Sequence, residues 1–190
     1  MSSSESLARE LKGPILVLGA SGFIGANLMH ALFRVRPDVF GTSSREPAWR
    51  LAGFRADRLI TVDLLARGNL AALLDRVQPA TVFDCVAYGA YSFEQDVDRM
   101  YQTNVVFKQE LIERLLERGT HCYVHAGSSS EYGARSAAPD EAVAPAPNSH
   151  YAVTKNAAAG LVYYAGHTAD CAARTCGSTR STGRSRTARA

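Results

Sequence analysis

A sheet of parallel strands with helices on both faces is the fold class this sequence predicts. Three observations carry the prediction. Short apolar runs alternate along the chain with stretches of helical periodicity. The first run, residues 14–18, is continuously apolar, as a strand buried on both faces must be. That run ends in a cluster of glycines at the start of the first helical stretch.

The elements follow in order. Residues 1–12 are polar and are expected to be a frayed lead-in. Pro14 to Leu18 is the first strand. Phe23 to Phe33 has helical spacing, with Phe23, Ile24, Leu28 and Leu32 as the recurring apolar positions. Val39 and Phe40 make a second strand before Gly41-Thr42-Ser43-Ser44, and Leu59 to Val62 a third. Leu70 to Val77 is helical and Thr81 to Val86 is a fourth strand. Gln95 to Arg118 is a long helix ended by Gly119, and Cys122 to Ala126 is a fifth strand. Ala134 to Ser149, rich in Ala and Pro, is a loop, and Tyr151 to Tyr164 is helical again. Right-handed crossovers between such strands leave a Rossmann-like doubly wound sheet over residues 13–168.

Composition narrows the class. The 190 residues suffice for one domain, and 46% are hydrophobic, enough for a sizeable core. No apolar run approaches the roughly 18 residues of a membrane span. The run at 14–18 is too short for a signal-peptide core and follows the acidic Glu5 and Glu10. A soluble, cytoplasmic protein is expected. Cys85, Cys122, Cys171 and Cys176 have no CxxC spacing and read as reduced thiols, not as a disulfide or metal framework. Net charge is +3, but Arg174, Arg180, Arg184, Arg186 and Arg189 stand against one acid, Asp170, in the last 24 residues. A basic balance confined to a tail argues against a nucleic-acid-binding domain.

Gly19-Ala20-Ser21-Gly22-Phe23-Ile24-Gly25 lies between a strand and a helix, the context in which a glycine pattern binds a dinucleotide. Gly19 makes the tight turn, Gly22 admits the pyrophosphate to the backbone, and Gly25 lets helix and strand pack closely. The helix start offers its unpaired N–H groups to the phosphates. Ser21, Phe23 and Ile24 are the other candidate contacts of this turn. A strand–helix turn without a ligand is the plainer alternative. At the end of the second strand there is no acid to bind a ribose 2′-hydroxyl. Ser44 and Arg45 there suit a 2′-phosphate, which favours NADP, with NAD as the other option.

The GxxGxxG spacing resembles the short-chain dehydrogenase/reductase family, in its extended branch of nucleotide-sugar epimerases, dehydratases and reductases. The resemblance runs to about residue 166. It implies that Asp63 and Leu64, at the end of the third strand, contact the adenine; Asp63 could equally cap the next helix. It also implies that Ala87 and Tyr88 pass the cofactor and that Asn104 supports the site from beneath.

Tyr151-Ala152-Val153-Thr154-Lys155 is a YxxxK motif, which on a helix puts the phenol and the ammonium on one face. Ionising a tyrosine at pH 7 costs about 4 kcal/mol, and a nearby ammonium is expected to lower that cost. Tyr151 could then take a proton from a sugar hydroxyl as hydride leaves its carbon. By resemblance Lys155 also holds the nicotinamide ribose. A hydroxyl from Ser128 or Ser129, with Ser129 favoured, would position the reacting oxygen. Glu131 resembles the second acid/base of the family's dehydratases, and a structural use in the turn is as plausible. His121 and His125 have no ligand spacing and are read as structural.

Residues 169–190 contain almost no large apolar residue, and no strand or amphipathic helix is expected in this basic tail. The family resemblance calls for a sixth strand ending in a Leu-Arg-x-Tyr-x-x-Tyr-Gly-Pro segment, then a substrate domain. Permitted codons for Arg174 to Arg184, regrouped one base earlier, can encode such a segment. The tail is therefore expected to be an out-of-frame reading, and the enzyme truncated before its substrate domain. The function implied is that of a nucleotide-sugar epimerase or dehydratase working by transient hydride transfer to bound NADP or NAD. The implied partners are a nucleotide sugar and a second copy of the chain, docked through helices 95–118 and 150–166. A non-catalytic, cofactor-sensing protein of the same fold is the alternative.

Overall fold

The computed structural model describes residues 3–45, 49–135, 143–168, 172–176 and 186–187. Its elements begin α1 (Ser3–Glu10), β1 (Ile15–Leu18), α2 (Phe23–Phe33), β2 (Val39–Ser43), β3 (Leu59–Thr61), α3 (Asn69–Val77) and β4 (Thr81–Asp84). They continue with α4 (Val97–Tyr101), a π-helical turn (Gln102–Val106), α5 (Phe107–Glu117), β5 (Cys122–Ala126) and a 3-10 segment (Ser129–Arg135). α6 (His150–Thr168), β6 (Ala172–Cys176) and β7 (Arg186–Thr187) complete them.

The strand order is β3-β2-β1-β4-β5-β6-β7. β1 pairs in parallel with β2 on one side and β4 on the other, and β2 with β3. This is the doubly wound Rossmann-like order, which reverses direction between β1 and β4. Ligands of such sheets bind beyond the C-terminal ends of the strands at that reversal. Here those ends are Leu18 and Asp84, which lie in register.

Two compact units divide the chain. The first is Met1–Cys85 with Gly119–Tyr123; the second is Val86–Arg118 with Val124–Ala190. The core of the first is built on β1, whose four side chains are fully buried. Ala26, Met29 and Leu32 of α2 pack there with Val39 and Leu51. The expected phase of this helix is corrected by the structure. Phe23 and Ile24 are 70% and 53% exposed, and the buried face is Gly25, Ala26, Met29 and Leu32. Contact between Gly25 and the preceding turn turns that face inward and the two larger side chains outward.

The N-terminal lead-in is also corrected, since Ser3–Glu10 is helical. The Arg36 guanidinium donates to the carbonyls of Ala8 and Arg9 at 3.4 Å, and to that of Leu11. These are carbonyls that a helix end leaves without a partner. Ala8 and Leu11 pack on the core.

In the second unit the expected long helix is present but interrupted by the π-helical turn. α6 packs against α4, the π turn, α5 and β6. Within the expected tail, the described residues include two strands, β6 and β7, paired antiparallel. A backbone ladder needs no apolar side chains, which is why composition did not reveal them. The rest of that tail, and residues 136–142 of the expected Ala134–Ser149 loop, lie outside the described residues.

Candidate functional site

The glycine turn belongs to the first unit. Gly19 has φ +71°, the left-handed region that glycine enters without steric cost, and its N–H donates to Thr42 Oγ1 at 3.1 Å. A Cβ on Gly25 would lie 2.3 Å from the Gly19 carbonyl oxygen, so only glycine fits where helix and turn meet. Gly22 is the N-cap of α2 and supplies no side-chain cap. The first N–H groups of α2 are thus left without a side-chain acceptor from that residue, as an anion-binding helix start requires. Phe23 and Ile24 are exposed at this start and Ser21 is half-buried. The Ser21 carbonyl accepts from Arg50 at 3.4 Å, a contact for which the sequence offers no signal.

Ser44 and Arg45 follow β2 and are exposed. Asp63 is exposed too, and its Oδ1 accepts the Leu65 N–H at 3.0 Å. It closes its own turn and does not cap α3, whose N-cap is Gly68. Leu64 beside it is half-buried.

The second unit carries the acid–base groups. On α6, Tyr151 is half-buried while Thr154 and Lys155 are buried. Of the two serines proposed from sequence, Ser128 is the one whose side chain acts on the Tyr151 phenol, and Ser129 opens the following 3-10 segment. Ser128 is held from both sides of the turn. Its N–H donates to Glu131 Oε1 at 2.8 Å, and its Oγ accepts from the Ser130 N–H at 3.2 Å. Glu131 thus has a structural use in the turn.

Burial pushes the Tyr151 phenol above its ordinary value; the Ser128 side chain acts to lower it, and the carboxylates of Glu131 and Glu94 raise it. The sequence expects Lys155 to pull the phenol down. In the structure the Lys155 ammonium is turned to β5, donating to the Ala126 carbonyl at 2.6 Å and lying 3.0 Å from His125 Nε2. Glu94 was not foreseen. Its carboxylate accepts the N–H groups of Gly89 and Tyr91 at 2.9 and 3.3 Å and so shapes the loop after β4.

Asn104 is fully buried in the π turn. Its Oδ1 accepts the Tyr88 N–H at 2.9 Å, and its Nδ2 donates to the Tyr88 carbonyl at 2.7 Å and to Thr154 Oγ1 at 3.0 Å. Thr154 in turn donates to the Tyr151 carbonyl at 2.8 Å. One amide therefore ties the Ala87–Tyr88 loop, in which Ala87 is exposed, to the turn of α6 that carries Tyr151.

The profile of the family described as NAD dependent epimerase/dehydratase matches residues 15–184. No curated protein matches the chain. Among solved structures, the chain is similar to MoeE5 in complex with UDP-glucose and NAD. That likeness has 30% identity and a TM-score of 0.71, and covers 87% of this chain and 53% of that one. UDP-glucuronic acid 4-epimerase from Bacillus cereus, in complex with UDP-glucuronic acid and NAD, is 25% identical with a TM-score of 0.72, over 86% of this chain and 55% of the other. At 20% identity, a partial-consensus L-threonine 3-dehydrogenase shares the fold with a TM-score of 0.73. This chain thus spans about half the length of the structures it resembles.

Proposed function

This chain belongs to the NAD dependent epimerase/dehydratase family, and we propose that it carries the cofactor-binding and proton-transfer machinery of a nucleotide-sugar epimerase or dehydratase. The observation that carries the reading is the half-buried Tyr151 on the turn of α6 that also carries Lys155, tied through Thr154 and Asn104 to the loop after β4.

The glycine turn fits a dinucleotide. Gly19 and Gly25 keep its backbone bare, and the start of α2 faces it with uncapped N–H groups. Gly19, Ser21, Gly22, Phe23, Ile24 and Gly25 would hold the pyrophosphate, and Asp63 with Leu64 the adenine. Ala87, Tyr88 and Asn104 would line the path of the cofactor. When bound, the nicotinamide would supply a reversible hydride acceptor for a sugar carbon. Tyr151 accepts the proton of the hydroxyl on that carbon, and Ser128 hydrogen-bonds the same oxygen. Burial and two carboxylates hold the phenol protonated in the free chain, so ionising it at pH 7 costs more than the ordinary 4 kcal/mol or so. A positive charge near the phenol is what the chemistry needs; the Lys155 ammonium, one turn along α6 and held by β5, would hold the nicotinamide ribose, and the bound cofactor would bring its own positive ring. Glu131 keeps Ser128 in place.

The MoeE5 and Bacillus cereus 4-epimerase structures that the chain resembles hold NAD. For this chain we read NADP as the preferred form, because the residues after β2 are Ser44 and Arg45 with no acid to clash with a 2′-phosphate. The exposed Val97, Tyr101 and Val106, with Val153, Tyr163 and Tyr164 of α6, support a homodimer through these helices. A reducing, cytoplasmic setting agrees with Cys85 and Cys122, which are not joined in a disulfide.

Calorimetric titration of the full chain with NAD and NADP tests the reading. Binding of either, with NADP tighter and Arg45→Glu reversing the order, is the expected result. Adding UDP-glucose or UDP-glucuronic acid should then generate reduced-cofactor absorbance that Tyr151→Phe abolishes without loss of dinucleotide binding. A chain that binds neither dinucleotide overturns the proposal. Binding with no reduction by any nucleotide sugar is the outcome that the sensing alternative requires.

A further inference from the structure

The YxxxK motif does not contain the group that holds its lysine. Lys155 is 2% exposed, and its ammonium is taken up by β5 through the Ala126 carbonyl and the ring of His125, itself fully buried. An ammonium has three N–H donors and no acceptor. At 3.0 Å, His125 Nε2 can meet it favourably only as an acceptor, with the ring neutral and its proton on Nδ1. An imidazolium at that distance would set two cations against each other away from water.

A lysine side chain has four rotatable bonds, and an unrestrained ammonium would sample many positions. Two acceptors on consecutive residues of one strand remove that freedom. The sequence reading treats His125 as structural, because it lies on a strand with no ligand spacing. The contact is visible only after a 30-residue separation is closed.

We propose that His125 is a positioning residue. As an Nδ1–H tautomer accepting from Lys155, it fixes the ammonium at the end of β5, in the orientation from which it serves a bound nicotinamide dinucleotide. The cofactor part of this inference rests on the function proposed above, whereas the tautomer and the tether do not.

The test uses the full chain with 15N-labelled histidine. Long-range proton–nitrogen correlation at pH 7.5 reads each ring's tautomer, and His125→Gln assigns the signal by its loss. The expected spectrum has His125 protonated at Nδ1 with an accepting Nε2, and Lys155→Met moves that Nε2 resonance. An Nε2–H tautomer, an imidazolium, or a signal indifferent to Lys155→Met overturns the proposal. Dinucleotide titration supplies the functional arm. His125→Phe keeps the bulk but removes the acceptor, and should weaken binding about tenfold, as expected for loss of one hydrogen bond to a charged group. His125→Gln, whose amide oxygen can accept, should recover most of it. Equal affinity for wild type and His125→Phe overturns the positioning role. If His125→Phe fails to fold, the wild-type tautomer and the His125→Gln affinity decide. A wild-type chain that binds no dinucleotide overturns the proposed function and the cofactor part together, and the spectrum then decides the tether alone.

Discussion

The glycine turn of the first unit and the tyrosine–lysine face of the second are built from different materials. The turn is made of main chain. Its geometry comes from residues that lack a side chain, and its ligand-facing groups are backbone N–H donors at the start of α2. The face on α6 is made of buried polar side chains, Asn104, His125, Thr154 and Lys155, each bonded to a partner distant in sequence. A main-chain site tolerates almost any neighbour but no Cβ. A side-chain network tolerates conservative exchange but no missing member, because an unpaired polar group away from water carries its full desolvation cost.

The sharpest way to break this contrast is Gly25→Val. Its Cβ would meet backbone on both sides, 2.3 Å from the Gly19 oxygen and 2.9 Å from the Ala20 Cα. A loss of about 3 kcal/mol in urea unfolding is expected, as for overpacking against atoms that cannot move, with dinucleotide binding abolished. A variant as stable as wild type would show that the turn yields. Next in size is Asn104→Ala, which leaves both polar groups of Tyr88 and the Thr154 hydroxyl without their amide partner. About 2 kcal/mol is expected, with faster hydrogen exchange at the Tyr88 amide. Normal protection there would mean that the loop does not depend on the network.

A third variant probes a contact outside both sites. Arg36→Met removes the guanidinium from the carbonyls of Ala8, Arg9 and Leu11, and about 1 kcal/mol is expected, with exchange protection lost over residues 3–10. The hydrogen-bonded Arg36 also holds the Asp38 carboxyl below its ordinary range. The stability from that pair is present above the usual carboxylate pKa of about 4 and is lost as pH falls through the lowered folded value. Arg36→Met should flatten that acid limb.

The smallest effect near neutrality concerns the two perturbed phenols, one in each unit. Tyr123 is fully buried, donates to Asp84 Oδ2 at 2.9 Å, and is pushed well above its ordinary value by burial and by the Asp84 charge. Tyr151 is raised as well. Raised folded values mean that this stability is intact below about pH 10 and drains away as pH climbs through them. Ultraviolet titration of tyrosinate against unfolding midpoint should show the two together. Tyr151→Phe should leave the alkaline unfolding limb dominated by Tyr123.

Much of this was legible in the one-dimensional chain. The alternation of runs, the glycine spacing and the Tyr151–Lys155 interval are local patterns, set by which residues admit a positive φ, a close approach or a shared helix face. Such constraints act between neighbours, so they are written where they act. The order of the strands follows from them once crossovers are right-handed. Tertiary structure decided the rest. It turned the Glu131 carboxylate onto the Ser128 N–H, so that a residue read as a possible second acid/base holds the turn. It rotated α2 so that Phe23 and Ile24 face outward. It made a helix of residues 3–10 through an arginine more than 20 residues away, and it gave Lys155 a histidine for a partner. The last two of these rest on contacts between residues far apart in sequence, whose energy exists only after the chain has paid the entropy of bringing them together.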